Sequence, residues 1–592
     1  MEFRRTALAA WLSRPESRLA ALGLSAVAAV WWGFVGVGVR PAEQFLMRGG
    51  YHVMTLTFGL WLFALARLWR ERGPEALAWP VRERLPALAL IAVCCTVALV
   101  HENFRSKILY DEYVLQSTAF NMHYFRDVGV MVRGYDLLGT FVSLDNYLDK
   151  RPYFYPYLIS LVHGLSGYRP ANAIAVNVLL LPVCLGLAYW LGRGLAGWRG
   201  GLLAAGLLGT LPLLAQNATG SGMELTNLTM LLACVVLAGA WLERPDETRL
   251  TAFVLAGVLL TQCRYESALY VVAVVAVVLA GWWRARRCVV AWPVVVAPLL
   301  LMPVAWHQRV LSASPVLWEM KADQVSRFGL EYLEGNLRGV IGHLFSWNTQ
   351  QANSPLLSVL GIAALLWVAA WLVWRGLRGP RAVAARHLPW LLFGAVICAN
   401  TALIQFYFWG SLSDPMAARF GLPLCVLLAF AVVFLARWLD RRLPATPWLL
   451  ALLAVAFLGF ALPRQARHHY SNLGNDEIEW ERRFVADRAP VSRLIITNKS
   501  SLPWLMEQTP SILLPRARIL EDRLRLHLAR RTFGEILVMQ SLRPTNARGG
   551  HQLVPEEELP PGFALEFITE KRFGTKIARI SRLVAVTKGG EG

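Results

Sequence analysis

The sequence predicts a polytopic α-helical membrane protein carrying a small C-terminal α/β domain outside the membrane. Three observations carry that prediction. Of 592 residues, 56% are hydrophobic and only 17% charged, whereas soluble domains carry about a quarter; the mean hydropathy is +0.43. Apolar runs near the roughly 20 residues that cross a bilayer recur along the chain. At Pro463 the composition changes, and short strand-like segments replace the apolar runs.

About thirteen spans are expected on that basis. They are Leu19–Val39, Tyr51–Trp69, Leu85–Val100, Ala171–Leu191, Gly200–Gln216, Glu224–Leu242, Leu250–Gln262, Ser267–Trp283, Val289–Trp306, Pro355–Trp374, Leu388–Trp409, Phe420–Leu439 and Pro447–Leu462. Met1 to Arg18 has Arg4, Arg5 and Arg14 but no persuasive cleavage site, so it leads into an uncleaved first span. Arg67–Arg72, Arg193 with Arg199, Arg284–Arg287, Arg375–Arg386 and Arg437 with Arg441-Arg442 are the basic connections. Those between them, such as His101–Pro170, Arg264–Glu266, His307–Ser354 and Gly410–Arg419, are longer or weakly charged. The positive-inside rule then puts the N-terminus in the cytoplasm and the C-terminal region outside, with an odd number of spans. The net charge of +20 is dispersed among these connections, which speaks for topology and against a nucleic-acid partner. Eight cysteines, none beyond Cys425, lack zinc-site spacing and read as small buried residues.

Three regions follow: residues 1–84 with two spans, 85–463 as the membrane module with outer loop 101–170, and 464–592 as the C-terminal domain. In the last, Val491–Thr497, Ser511–Leu514, Glu535–Gln540, Phe563–Thr569 and Ile577–Val586 read as strands. Ile519–Arg531 shows helical leucine spacing, and Asn472–Glu479 looks acidic and turn-like. No glycine-rich phosphate loop or Ser/His/Asp pattern is present, so this region reads as a cap or docking domain.

Four polar constellations interrupt the apolar pattern. Asp111-Glu112 stands just beyond the third span. Adjacent carboxylates at a bilayer surface suit chemistry or ion binding, and they also suit a helix N-terminus. Tyr113–Val132 has the spacing of an amphipathic helix lying in the interface. Arg151–Tyr157, with Tyr153 and Tyr155, forms an aromatic stretch running to Tyr168, of a kind favoured at headgroup level. Lys150-Arg151 precedes it. Arg264 and Glu266 share the tight turn Gln262–Glu266, and Arg419 closes Ser413–Arg419. Each cation either snorkels as an interface anchor or pairs with a lipid phosphate, for which a planar guanidinium is well shaped. The inferred topology puts all four groups on one face, where a carboxylate base with several cations suits a lipid-phosphate leaving group. His343, in loop His307–Ser354, has no partner at metal-ligand spacing, and Asn217-Ala218-Thr219 matches a glycosylation sequon.

At these residues the chain resembles the GT-C class of membrane glycosyltransferases, particularly the protein O-mannosyltransferase and aminoarabinose transferase branch. The family's early Asp-Glu pair is matched by Asp111-Glu112. Its Lys-Pro-aromatic-Tyr-Pro stretch is similar to Asp149–Ser160, its Thr-Arg-Pro-Glu element to Gln262–Glu266, and its Arg-Tyr/Phe-x-x-Pro element to Arg419–Pro423. The order is kept from Leu85 to about Leu462. Two extra spans at the start, Arg151 within the Lys-Pro pair and Tyr265 in place of proline are departures.

The resemblance implies transfer of a sugar from a polyprenyl-phosphate carrier to an extracytoplasmic glycan, lipid or protein in the cell envelope. The enzyme would sit in the plasma (inner) membrane and act by one inverting displacement. Asp111 would be the general base, and Glu112 would orient it or the acceptor. Arg264, Lys150, Arg151 and Arg419 would bind the donor phosphate, with Glu266, Tyr153 and Tyr155 serving the acceptor or giving support. It implies no fixed cofactor and admits a divalent metal cation, although no ligand cluster here demands one. A lipid-linked glycan polymerase or ligase is the nearest alternative. A secondary transporter is further off, since its charges would lie at the bilayer midplane, often within repeated halves.

Overall fold

A computed structural model describes residues 14–72, 80–314, 324, 326–377, 387–440, 456–468, 470, 472–545 and 550–587. Among them, nine helices are long and apolar enough to cross a membrane, and Leu388–Ile404 is a shorter apolar helix. The protein is a multi-pass, mostly helical membrane protein with a C-terminal sheet. Arg4, Arg5, Arg441, Arg442, residues 378–386 and the first part of the expected span Pro447–Leu462 lie outside the described residues.

Two expected spans, Ala171–Leu191 and Gly200–Gln216, fall in the stretch Asn172–Gly209 as two helices separated by a kink at Ala196 and Gly197. Gly197 has φ +73°, a left-handed conformation that costs glycine little. Leu250–Gln262 is realised as the 15-residue helix Glu247–Thr261, with Thr248–Thr261 buried. At about 1.5 Å per residue it reaches about 22 Å, short of the hydrocarbon thickness. It starts where the Asp246 carboxylate accepts the Arg249 amide at 2.9 Å.

The chain divides into two compact units. The first comprises residues 1–105, 150–158 and 173–470; the second comprises 106–149, 159–172 and 471–592. The C-terminal residues therefore form one unit with two pieces of the loop 101–170. That unit contains the hairpin β1 (Val130–Leu137) and β2 (Thr140–Tyr147). It also holds a mixed sheet of β3 (Arg493–Thr497), β4 (Ser511–Leu513), β5 (Glu535–Pro544), β6 (His551–Gln552), β7 (Phe563–Phe573) and β8 (Lys576–Val586). The order is β4-β3-β5-β8-β7, with β6 on β5. β3 runs parallel to β4 and β5, whereas β8 is antiparallel to both neighbours. All five strands expected from the sequence form. β3 is buried on both faces: Leu494 and Ile496 pack with Leu514 and Leu524, and Ile495 packs with Trp504 and Trp480. This two-sided cover explains its unbroken apolar run.

Two expectations fail here. Asn472–Glu479 is not a turn but opens the helix Leu473–Ala486, and the Asn472 side chain accepts the Gly474 and Asn475 amides. The residue that suggested a turn is the N-cap. Nor is Tyr113–Val132 one interfacial helix. The helix Leu109–Tyr124 ends before β1, and Glu112 to Met122 are all buried, with Tyr113, Val114 and Phe120 against Ile478, Leu502, Leu505 and Met506. The polar residues that gave the pattern its apparent wet side are internal. Ser117 Oγ accepts the Met131 amide at 2.9 Å, and Asn121 donates to the Gly129 carbonyl at 2.6 Å.

Five cysteines are buried, Cys95 is half-buried, and Cys288 and Cys398 are exposed, so the expectation of burial fails for those last two. Cys288 lies in the connection after the helix Tyr270–Ala285, and Cys398 lies on the helix Leu388–Ile404.

Candidate active site

In the first unit, three sequence-distant charges meet. Glu224 is the first residue of the helix Glu224–Glu243. Arg264 lies in the turn after Glu247–Thr261, and Arg419 lies in the short 3-10 turn Ala417–Gly421 that opens the next apolar helix. Arg264 Nη1 donates to Glu224 Oε1 at 2.6 Å, and Arg419 Nη1 lies 3.1 Å from the same oxygen. Arg264 Nε also donates to Glu266 Oε1. Side-chain exposure is 2% for Glu224, 3% for Arg264 and 5% for Arg419. Snorkelling to the interface, the alternative open to the two arginines, does not describe side chains so enclosed. Ions this deep persist only when paired, and removing one partner typically costs about 3–5 kcal/mol.

Both guanidiniums also face Phe420, at 5.1 and 5.3 Å from its ring centre, and Arg419 faces Trp409 at 5.9 Å. Asp414 fixes that turn, accepting the Trp409 indole N–H and the Met416 amide, each at 2.8 Å. Ser267 donates to Asn227 at 2.7 Å beside the cluster. The cavity lined by these groups with Tyr270 and Asn400 has a volume of about 10 Å³, room for about one water. Among the described residues no hydrogen-bond partner reaches Arg264 Nη2, Glu224 Oε2, Glu266 Oε2, Tyr270 Oη or Asn400 Oδ1, all of them buried.

The Lys150–Tyr155 segment is tied to this turn, since the Phe154 amide donates to the Gln262 carbonyl at 3.0 Å. Lys150 and Arg151 are half-buried. Tyr153 is buried and stacks on His307 at 5.0 Å. Tyr155 is buried too; its hydroxyl donates to the Ala173 carbonyl at 2.8 Å and accepts from Asn177 at 3.1 Å. Neither ring lies along a membrane surface as the aromatic run suggested. Phe154 and Thr226, close in sequence to the charged groups, line an apolar cavity of about 410 Å³ with Phe58, Trp61, Leu158 and Met230.

Asp111 and Glu112 belong to the second unit. Leu109, just ahead of them, has φ +31°, unusual for a residue with a side chain and a mark of local strain. The carboxylates have different surroundings. Glu112 is 1% exposed, and its Oε1 accepts the Lys107 amide at 2.9 Å and the Ile108 amide at 3.2 Å. Asp111 is half-buried, with its own amide on the Ile108 carbonyl at 3.0 Å.

Glu224 is the member that the sequence reading passed over, although it opens an expected span on the face assigned to Arg264 and Arg419. Arg464 was also missed. It gathers the carbonyls of Trp347, Asn348 and Asn353 at 3.0, 2.7 and 3.2 Å, fixing the loop after His343. His343 itself is held neutral, its pKa lowered to about 4 chiefly by burial. Asn217 is buried and donates to the Leu213 carbonyl at 2.7 Å, so its sequon is not an accessible acceptor. The divalent cation admitted by the resemblance finds no group of three His, Cys, Asp or Glu ligands among the described residues.

No protein-family model matches the chain, and no curated protein sequence matches it. Among solved structures, it is similar to ArnT from Cupriavidus metallidurans bound to undecaprenyl phosphate, at 14% identity and a TM-score of 0.49, over 83% of this chain and 97% of that one. It is also similar to the Archaeoglobus fulgidus oligosaccharyltransferase complex with Zn and sulfate, at 10% identity and a TM-score of 0.44, over 76% and 68%. A third is the arabinosyltransferase EmbB from Mycobacterium smegmatis, at 15% identity and a TM-score of 0.35, over 60% and 31%. These are glycosyltransferases of the class that the sequence motifs resemble.

Proposed function

We propose that the protein is a glycosyltransferase that moves a sugar from a polyprenyl-phosphate carrier to an acceptor hydroxyl at the outer face of the plasma membrane. The observation that carries this reading is the meeting of Arg264 and Arg419 in one buried cluster. Both belong to motifs read from the sequence as phosphate-binding, and Phe154 and Thr226 lead from their neighbourhood into an apolar cavity of about 410 Å³.

In the reaction, the acceptor oxygen attacks the anomeric carbon as Asp111 takes its proton. The bond from that carbon to the phosphate oxygen breaks, and the electron pair leaves with the lipid phosphate. Stereochemistry inverts. General-base assistance is worth about 100- to 10,000-fold. Arg264, Arg419, Lys150 and Arg151 stabilise the charge that develops on the leaving group, usually the larger contribution. Glu112 is committed to two backbone amides and holds its turn, so the base is assigned to the half-buried Asp111. Glu266 orients Arg264, while Tyr153 and Tyr155 brace the Lys150 segment.

The test is mass spectrometry of lipids retained by the purified protein, joined to a transfer assay in membrane vesicles. A bound polyprenyl phosphate, with its sugar passed to an outer acceptor, is the expected result. Retention of no such lipid, together with sugar-independent uptake of a soluble solute, would replace this reading with a transporter.

A further inference from the structure

We propose that Glu224 is a positioning residue that fills the donor-phosphate site as its internal anion and gives way when the lipid phosphate arrives. The inference rests on the reading of Arg264 and Arg419 as phosphate-binding groups. It concerns what they do when no donor is bound.

The four charges around the cavity, two guanidiniums and two carboxylates, sum to zero. One oxygen of Glu224 already takes a donor from each arginine, which is how a phosphate oxygen would be held. The cavity left over, about 10 Å³, admits a water and not a phosphate. Among the described residues, the donors Arg264 Nη2 and Tyr270 Oη are left without partners inside it, and so are the acceptors Glu224 Oε2 and Glu266 Oε2. A phosphate satisfies the first pair and is repelled by the second. Its arrival therefore requires a carboxylate to be displaced, and Glu224 is the one that touches both arginines. Its helix starts at that residue, after the N-cap Met223. Glu266 Oε1 is paired with Arg264, two residues away.

The site thus exchanges one anion for another. An empty site full of uncompensated arginine charge would be costly in so buried a place; a permanently neutral one would bind phosphate poorly. A side-chain carboxylate that another anion can replace meets both demands.

The experiment uses the full-length protein in nanodiscs with undecaprenyl phosphate as probe. Glu224→Gln removes the competing charge while keeping the shape. It is expected to bind the lipid about tenfold more tightly than the wild type, to gain more thermal stability from it, and to show a lower donor KM together with a lower kcat, because the spent lipid phosphate leaves slowly. Glu224→Asp is expected to stay within about threefold of the wild type. Weaker or unchanged lipid binding by Glu224→Gln, with an equal thermal gain, would make Glu224 a fixed structural anchor and overturn the proposal. Should Glu224→Gln be too unstable without lipid, retention of co-purified lipid through detergent washes decides instead. Retention above wild type supports the exchange, and equal or lower retention refutes it. A wild type that binds no undecaprenyl phosphate, with Arg264→Ala no different, would show that the phosphate reading itself had failed.

Discussion

Glu112 and Glu224 are both almost wholly enclosed, yet the two units of the molecule hold them in different ways. Glu112 takes its hydrogen bonds from the peptide amides of Lys107 and Ile108, donors that cannot turn away without unwinding the chain. Glu224 takes its own from the side chains of Arg264 and Arg419. A carboxylate tied to backbone stabilises one conformation. A carboxylate tied to guanidiniums belongs to a charge arrangement that, in the proposal above, another anion enters, and this is the distinction drawn between a supporting residue and one that takes part in binding.

The strongest challenge to that contrast is Asp111→Asn, beside Glu112. Transfer from a polyprenyl-phosphate sugar is expected to fall by about 100- to 10,000-fold in vesicles, with circular dichroism unchanged; normal turnover would remove the base assignment. Next is Arg264→Ala, which strips Glu224 and Glu266 of a shared partner. Stability should drop by about 3–5 kcal/mol, and kcat/KM for the donor should fall while the acceptor KM holds. An acceptor-only defect would contradict the phosphate role.

Glu112→Ala sharpens the other half of the comparison. Two buried amides lose their acceptor, at about 2–4 kcal/mol in all, and hydrogen exchange at Lys107 and Ile108 should quicken. Glu112→Gln should be milder, at about 1 kcal/mol. A loss of activity in Glu112→Gln as large as in Asp111→Asn, with exchange unchanged, would move Glu112 into the chemistry.

A further expectation is a pH dependence of the second unit. His163 is buried, its Nδ1 accepting from Asn172 at 2.9 Å, and burial followed by the charge of His123 lowers its pKa to about 4. Because the folded value lies below the unfolded one of about 6.5, the unfolded chain takes up the proton first as pH falls. Stability is complete above about pH 6.5, declines towards pH 4 and levels off below it, by about 3 kcal/mol in total. Denaturant unfolding followed in the sheet region should show that window, and His163→Gln should flatten it.

How far these features were legible in the sequence follows from what makes a pattern visible. The apolar spans and the strands of the C-terminal sheet repeat over many residues, so their periodicity survives local exceptions. Arg264 and Arg419 stood out as charges at the ends of apolar runs. Glu224 occupies the same kind of position and was absorbed into its span, because one acidic residue at a helix start is ordinary in itself; its meaning comes from two arginines 40 and 195 residues further along. Asn472 was legible as a turn-former, and only the helix after it decides that it caps. Tyr153 and Tyr155 read as interface aromatics because tyrosine suits headgroups, whereas their hydroxyl and ring partners lie in distant segments.

In the proposed complex, the hydrogen bond from the Phe154 amide to the Gln262 carbonyl would make tail and head of a bound donor mechanically continuous. Phe154 lines the greasy chamber, and its amide holds the end of the helix after which Arg264 emerges. A prenoid too short to press on that ring would leave the guanidinium less well aimed, so discrimination among carriers by length should surface as a change in turnover and not merely in affinity.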